Sequence, residues 1–148
     1  MTDHLTTSQR SWNMSRIRSE NTKPEKIVRS LLHAMGFRFR LHYNELPGGP
    51  DVVLPKYKTA IFVHGCFWHR HEGCKYTTTP KTNKEFWKKK FLGNVGRDKQ
   101  NEKRLAEMKW KVILVWECEQ RNMKSLALKL STALENRERQ VIRRKFNM

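Results

Sequence analysis

From Val63 to Cys74 the chain reads Val63-His64-Gly65-Cys66-Phe67-Trp68-His69-Arg70-His71-Glu72-Gly73-Cys74. Three of the six histidines, two of the three cysteines and an adjacent pair of aromatics fall in this one stretch. It follows directly on Thr59-Ala60-Ile61-Phe62-Val63, an apolar run that reads as a buried strand. A loop so short of aliphatic residues cannot pack itself. Something else has to pin it, and histidine with cysteine at this density points to a metal ion or to catalysis.

Cysteine usage favours the metal. The count of three is odd, and Met1-Thr2-Asp3-His4 shows neither a basic nor an apolar signal region. The expectation is a cytoplasmic protein with reduced thiols rather than a disulfide framework. Cys118 ends a later apolar strand, where the chain can return beside the cluster. Cys66, His71, Cys74 and Cys118 then make a four-ligand set suited to a tetrahedral structural Zn²⁺, and every cysteine is used. Two alternatives stay open: His69 in place of His71, or three buried free thiols. A zinc deaminase fits poorly, because neither H-x-E nor a following P-C-x-x-C is present.

Charge names the class of partner. Thirty-one Lys and Arg against 14 Asp and Glu give a net charge of +17, which points to a polyanion. No apolar run approaches the ~18 residues of a membrane span. The flat partner that Phe67 and Trp68 could stack on is therefore a nucleic-acid base. Two adjacent aromatics cannot both point inward from a strand, which weakens a purely structural account of the pair.

The rest of the pattern predicts one domain over residues 1–148. Residues 1–20 are polar and basic, with a short helix carrying Trp12, Met14 and Ile17. Thr22-Lys23-Pro24-Glu25 reads as a capping box, opening a helix with Ile27, Val28, Leu31, Leu32 and Met35 on one face and Gly36 as its stop. Phe37, Phe39, Leu41 and Tyr43 alternate as a half-buried strand does. Pro47-Gly48-Gly49-Pro50 forces a turn before strands at Asp51–Leu54 and Thr59–Val63. Thr82-Asn83-Lys84-Glu85 is a second capping box, starting helical sequence to about Met108 that Gly93 and Gly96 interrupt. Trp110–Trp116 is a strand, residues 122–138 form a last helix with Leu126, Leu130 and Leu134 spaced by four, and Arg137–Met148 is a basic, frayed tail. The order α-β-β-β-α-β-α predicts an α/β fold, a mixed central sheet flanked by helices.

Asp51 opens one strand and Val63-His64 closes the next. That arrangement is similar to the metal site of the restriction-endonuclease-like nucleases, although the usual second acid and lysine are missing. A hard Mg²⁺ wants oxygen ligands, which Asp51 and the Val63 carbonyl can give. Histidine titrates near neutral pH and can move the protons of hydrolysis. The zinc set leaves His64 and His69 free for that work. Asp51 as an ordinary turn residue and Glu25 as only a cap are the plainer readings.

Taken together, several segments resemble the very-short-patch repair (Vsr) DNA mismatch endonucleases. They are Arg10-Ser11, Asn13-Met14-Ser15, Ile17-Arg18, Asn21-Thr22-Lys23-Pro24-Glu25, Leu46-Pro47-Gly48-Gly49-Pro50-Asp51, Phe62-Val63-His64-Gly65-Cys66-Phe67-Trp68-His69, Glu85-Phe86-Trp87, Asn94-Val95, Arg97-Asp98 and Val115-Trp116-Glu117-Cys118. The resemblance implies a Mg²⁺-dependent endonuclease of restriction-endonuclease-like fold with a structural zinc. It implies nicking of double-stranded DNA 5′ of the thymine in T:G mismatches that arise when 5-methylcytosine deaminates, so starting very short patch repair. By position, Asp51 and the Val63 carbonyl would hold Mg²⁺, and His64 and His69 would be the acid/base pair, with His69 activating water. Glu25 and Asp98 would orient those groups. Phe67, Trp68 and Trp87 would wedge into the base stack, with Met14 and Ile17 entering from the opposite groove on an N-terminal DNA-contacting segment. A monomer is implied, coupled functionally to mismatch-repair proteins and a DNA cytosine-5 methyltransferase.

Insertion of apolar side chains costs a few kcal/mol per unstacked step, and a mismatched step is cheaper to open. Lys88-Lys89-Lys90, Lys99, Lys103 and Arg104 would lie along the backbone, or form a solvated face; phosphate contacts position without reading sequence. Gly49, Val63 and Gly96 depart from the family, standing where relatives often carry a basic residue, a threonine and an acid. Two other readings stay open: a same-fold nuclease with another mismatch or modified-base target, and a zinc-stabilised DNA-binding module without catalysis. A His-rich nuclease of the HNH type fits less well, since it leaves Asp51 without a role.

Overall fold

The computed structural model describes residues 22–41 and 43–146, with side chains from residue 140 onward excepted. The N-terminal segment expected to contact DNA, with Met14 and Ile17, lies outside the described residues. Helices Lys23–Ala34 (α1), Lys84–Glu107 (α2) and Met123–Phe146 (α3) surround strands Val52–Leu54 (β1), Thr59–His64 (β2) and Lys111–Trp116 (β3).

The sheet order is β1-β2-β3. β1 and β2 are antiparallel, with Val52 opposite Ile61. β2 and β3 are parallel, with His64 opposite Trp116. Alternation splits the strand residues between two cores. On one face Val52, Leu54, Ile61, Ile113 and Val115 meet Val28 and Leu32 of α1 and Leu126, Leu130 and Leu134 of α3. On the other, Val53, Ala60 and Phe62 meet Leu105 of α2. This is the expected mixed sheet flanked by helices. Leu126, Leu130 and Leu134 are at most 1% exposed, and truncating any one to alanine costs about 2–5 kcal/mol.

Helix α1 starts and stops where its sequence directs. The Thr22 hydroxyl accepts from the Glu25 N–H, Pro24 sits in the first turn, and Gly36 follows the cap in the left-handed region at φ 84°. Four expectations need correction. Phe37–Tyr43 is not a strand: its only ladder pairing among the described residues is the Arg40–Val53 bridge. Phe37, Phe39 and Leu41 nevertheless pack on the first core, which is why they alternate. The second capping box does not form. Asn83 is the N-cap, in the left-handed region and without a side-chain bond. Helix α2 runs unbroken through Gly93 and Gly96. Their propensity cost, about 1 kcal/mol each, is outweighed by anchors at Trp87, Phe91 and Leu105, all buried. Finally, α3 continues to Phe146 rather than fraying from Arg137. Arg137 is buried and donates through Nε to the Tyr57 carbonyl, 3.0 Å, and through a terminal nitrogen to that of Lys109, 2.6 Å. It ties two turns to the helix. Among the described residues no helix is long and apolar enough to cross a membrane.

Candidate active site and metal centre

The β1–β2 hairpin sets the first half of the site. Backbone groups of Ile61 and Val63 point toward β1, because a strand residue sends its N–H and C=O to the same edge. Ile61 receives the Asp51 N–H, 3.1 Å. Val63 lies one step beyond the end of β1, and its N–H donates instead to the Asp51 carboxylate at 2.7 Å. The Val63 carbonyl therefore leaves the strand on the edge that Asp51 occupies. Burial pushes the Asp51 carboxyl up to about 7; the Val63 N–H opposes that shift, and the neighbouring Glu25 adds to it.

Glu25 is 4% exposed and paired with Arg29 at 3.2 Å. A carboxylate that served only as a helix cap would sit in water. This one is folded inward beside Asp51.

The second half comes from β2 and α2. His64 and His69 stack with ring centroids 3.8 Å apart and planes 5° from parallel. His69 Nδ1 lies 2.6 Å from the Asp98 carboxylate on α2. His64 is buried, which drives its imidazole down to about 4, with His69 reinforcing the shift. Among the described residues its Nδ1 has no hydrogen-bond partner. A cleft of about 480 Å³ joins these groups, lined among others by Glu25, Gly49, Asp51, His64, His69 and Asp98. The five side chains expected to do the chemistry are thus brought together from residues 25 to 98. A sixth, Glu117, also lines this cleft and was not anticipated. Its signal was position: it follows the end of a strand parallel to β2, and α/β sites gather at such ends.

Beyond His64 the chain turns into the cysteine cluster. The donor atoms of Cys66, His71, Cys74 and Cys118 all lie within 4.8 Å of one another. Cys118 Sγ approaches His71 Nδ1 to 3.4 Å. Burial raises the Cys66 thiol to about 12, while the Tyr76 N–H lowers that of Cys74. Three thiols and an imidazole converging in this way, none in a disulfide, fit a soft or borderline cation such as zinc. His71 lies with the three cysteines, and His69 lies with His64 and Asp98. The His64, His69 and Asp98 donors also converge within 4.8 Å, but parallel stacked rings do not aim their nitrogens at one point.

The aromatics form one cluster on the rim. Phe67 packs edge-on against Trp68 (5.1 Å), Trp87 (5.7 Å) and Phe91 (5.2 Å). Phe67 and Trp68 are half-buried, whereas Trp87 is 8% exposed. Phe86, which the sequence did not single out, is 56% exposed beside it. Arg70 stands over the Phe91 ring at 4.1 Å and donates to the Thr78 carbonyl, and Asn94 donates to that of Trp68 at 3.1 Å. Lys88, Lys89, Lys90, Lys99, Lys103 and Arg104 are all exposed along α2.

Carboxylates and a histidine pair at the ends of sheet strands, on a strongly basic α/β chain, make a site of the nuclease class. Known proteins agree. The family model "DNA mismatch endonuclease Vsr" matches residues 2–75. The type II nicking enzyme V.XorIIP of Xanthomonas oryzae is 46% identical over 135 residues, covering 91% of this chain and 98% of that protein. The type II nicking enzyme V.NmeAIP of Neisseria meningitidis is 49% identical over 122 residues, 82% of this chain and 86% of that one. DNA mismatch endonuclease Vsr of Escherichia coli is 43% identical over 126 residues, 85% and 80% of the two chains. The chain belongs to the Vsr family of DNA mismatch endonucleases.

Proposed function

We propose that the protein nicks one strand of double-stranded DNA 5′ of the thymine in a T:G mismatch, and that the mixed sheet is the core of a restriction-endonuclease-like fold. The observation that carries this reading is the cleft shared by Asp51, Glu25, His64, His69 and Asp98. In it Asp51 and the Val63 carbonyl present oxygen donors on one strand edge, the ligand type that Mg²⁺ takes. Mg²⁺ held there would supply charge stabilisation at the scissile phosphate.

The chain's own groups do the rest. Asp98 holds His69 through Nδ1, which leaves Nε2 as the free ring nitrogen to take a proton from the attacking water. His64, kept neutral by burial, stacks on His69 and fixes its plane while offering a second proton-transfer group. Glu25 orients Asp51 and the waters beside it. Phe67, Trp68 and Trp87 wedge beside the mismatch, and Met14 and Ile17 enter from the opposite groove. A T:G step is easier to unstack than a paired one, so the wedge discriminates by energy as well as by contact. The exposed lysines of α2 lie along the phosphates. Zn²⁺ at Cys66, His71, Cys74 and Cys118 is structural, pinning a loop that has little core of its own.

Strand nicking of labelled duplexes carrying T:G, T:A or C:G at one position, with Mg²⁺ or with none added, tests the reading. A Mg²⁺-dependent nick in the T strand of the T:G duplex alone, lost in Asp51→Ala, is expected. Cleavage of another mismatch moves the target. Tight binding without cleavage of any mismatch overturns the catalytic assignment.

A further inference from the structure

Two parallel strands leave the sheet in step. β2 ends at His64 and the chain runs on through Gly65 to Cys66; β3 ends at Trp116 and runs on through Glu117 to Cys118. His64 and Trp116 are register partners, and two residues further each strand delivers a cysteine to the same donor cluster. Metal held at that cluster would therefore staple the two strand ends just beyond the His64–Trp116 pair. The third element of the cluster, the loop carrying His71, closes over the same place. His71 lies flat on the Trp116 indole, 4.2 Å between centroids and 7° from parallel. The indole meets His64 edge-on at 5.2 Å and 75°. His64 in turn stacks on His69. Four rings thus run without a break from a metal ligand to the histidine that Asp98 holds.

We propose that Trp116 is a positioning residue, which sets the plane of the His64–His69 stack from the metal-ligating His71. The proposal rests on the catalytic and zinc readings above. Its physical basis is how few polar contacts orient the His64 ring. Among the described residues its Nδ1 has no hydrogen-bond partner, so the ring contacts around it do most to fix how the ring is turned. Phe62, tilted at 6.0 Å, covers one side, and Trp116 and His69 supply the other close ring contacts. An aliphatic side chain in place of the indole would fill volume but present no flat face to His71 and no edge to His64. The backbone at Trp116 is itself held: its main-chain N–H donates to the Glu119 carboxylate at 2.9 Å, and Glu119 is paired with Lys129 at 2.9 Å.

The test compares the full-length zinc-loaded chain with Trp116→Met and Trp116→Phe. Four quantities are read: zinc per chain, affinity for the T:G duplex, single-turnover nicking rate, and the NMR signals of the His64 and His69 ring protons. We expect zinc content unchanged and DNA affinity within about twofold in both variants. In Trp116→Met the nicking rate falls about 10- to 100-fold, the size typical of an outer-shell loss, and the His64 and His69 signals move. Trp116→Phe, which keeps a ring, recovers most of the rate and the wild-type signals. Loss of zinc in step with the rate would overturn the proposal, making Trp116 a support of the ligand cluster only. Unmoved ring signals in Trp116→Met would overturn it as well. If the wild type binds zinc but cuts no duplex, the catalytic reading has failed. The ring signals then decide the positioning claim independently.

Discussion

The His64 and His69 imidazoles lie parallel, 3.8 Å between centroids, and among the described residues only His69 has a carboxylate within hydrogen-bond distance. The two rings are therefore not equivalent. One is buried, neutral and unanchored at Nδ1; the other is half-exposed and tied to Asp98. This asymmetry predicts that Asp98→Asn slows nicking about 10- to 100-fold at unchanged DNA affinity, because the amide can still touch His69 but no longer offers only acceptors to Nδ1, so it fixes neither the ring's tautomer nor its orientation. His69→Ala should lose about 10²- to 10⁴-fold. Single-turnover kinetics beside a binding isotherm checks both, and equal losses in rate and affinity would count against the assignment.

Asp51 gives a pH prediction. Its folded carboxyl is raised from an ordinary 3.8 to about 7, so between those values the folded chain binds the extra proton. Its contribution to stability is present at low pH and is lost as pH rises through about 7. His64 acts in the other sense: lowered from 6.5 to about 4, it favours the fold more as pH rises across that range. The two offset each other between about pH 4 and 6.5, and the Asp51 penalty stands alone above it. Asp51→Asn should therefore raise the Mg²⁺-free melting temperature, and by more at pH 8 than at pH 5. Added Mg²⁺ should raise the melting temperature of the wild type at pH 8 and leave that of the variant unmoved. A uniform shift across pH would show that Asp51 is not the group responsible.

Removing the cluster metal should act on stability first. Cys118→Ser takes one of the four donors from a loop with few aliphatic residues. Zinc content should fall below one per chain, and the melting temperature should drop by about 10 °C or more, since metal binding to a site absent from the unfolded chain adds directly to folding. Metal analysis with calorimetry decides the matter. Full stability with no zinc in the purified wild type would mean that the thiols are structural by themselves.

The Pro47–Pro50 turn offers a gain of function. Gly48 cannot carry a side chain: a Cβ there would lie 2.8 Å from Asn101. Gly49 opens onto the cleft with nothing within 4 Å, although at φ 57° a side chain costs about 1–2 kcal/mol. Gly49→Arg should therefore lower stability modestly while adding a cation toward the DNA. Binding measured across a salt series should tighten at low salt and gain about one unit of slope. Gly48→Arg should lose stability without that gain.

The aromatic rim should separate recognition from chemistry. Trp68→Ala leaves the histidine pair in place but removes a half-buried ring from the cluster. Base stacking on an aromatic is worth about 1–3 kcal/mol, so T:G affinity should fall about 5- to 150-fold while affinity for a fully paired duplex changes little. Equal weakening on both duplexes would return Phe67-Trp68 to a packing role.

How far these groups were legible in advance varies with how local their causes are. The convergence of Cys66, His71, Cys74 and Cys118 was readable because these residues are chemically unusual and three of the four lie within nine residues, Cys66 to Cys74. Helix α1 was readable because Thr22, Pro24 and Gly36 each act within a turn of themselves. Phe37–Tyr43 misled because alternation records which residues face the core, not whether a partner strand runs alongside. Gly93 and Gly96 misled because helix propensity is a weak prior against three buried anchors on the same helix.

Composition and short-range pattern were enough for a basic α/β chain with buried strands, a Cys/His-rich loop able to hold a metal, and a nucleic-acid partner. These follow from side-chain chemistry and from periods of two and 3.6 residues, which any window of sequence displays. The states of the reactive groups were decided elsewhere. Glu25 and Asp51 meet across 26 residues of chain, His69 and Asp98 across 29, and His71 and Cys118 across 47. Burial, stacking and shared protons depend on those distances in space. Only the packed sheet, with β2 and β3 running parallel and ending together, brings the groups close enough to change one another.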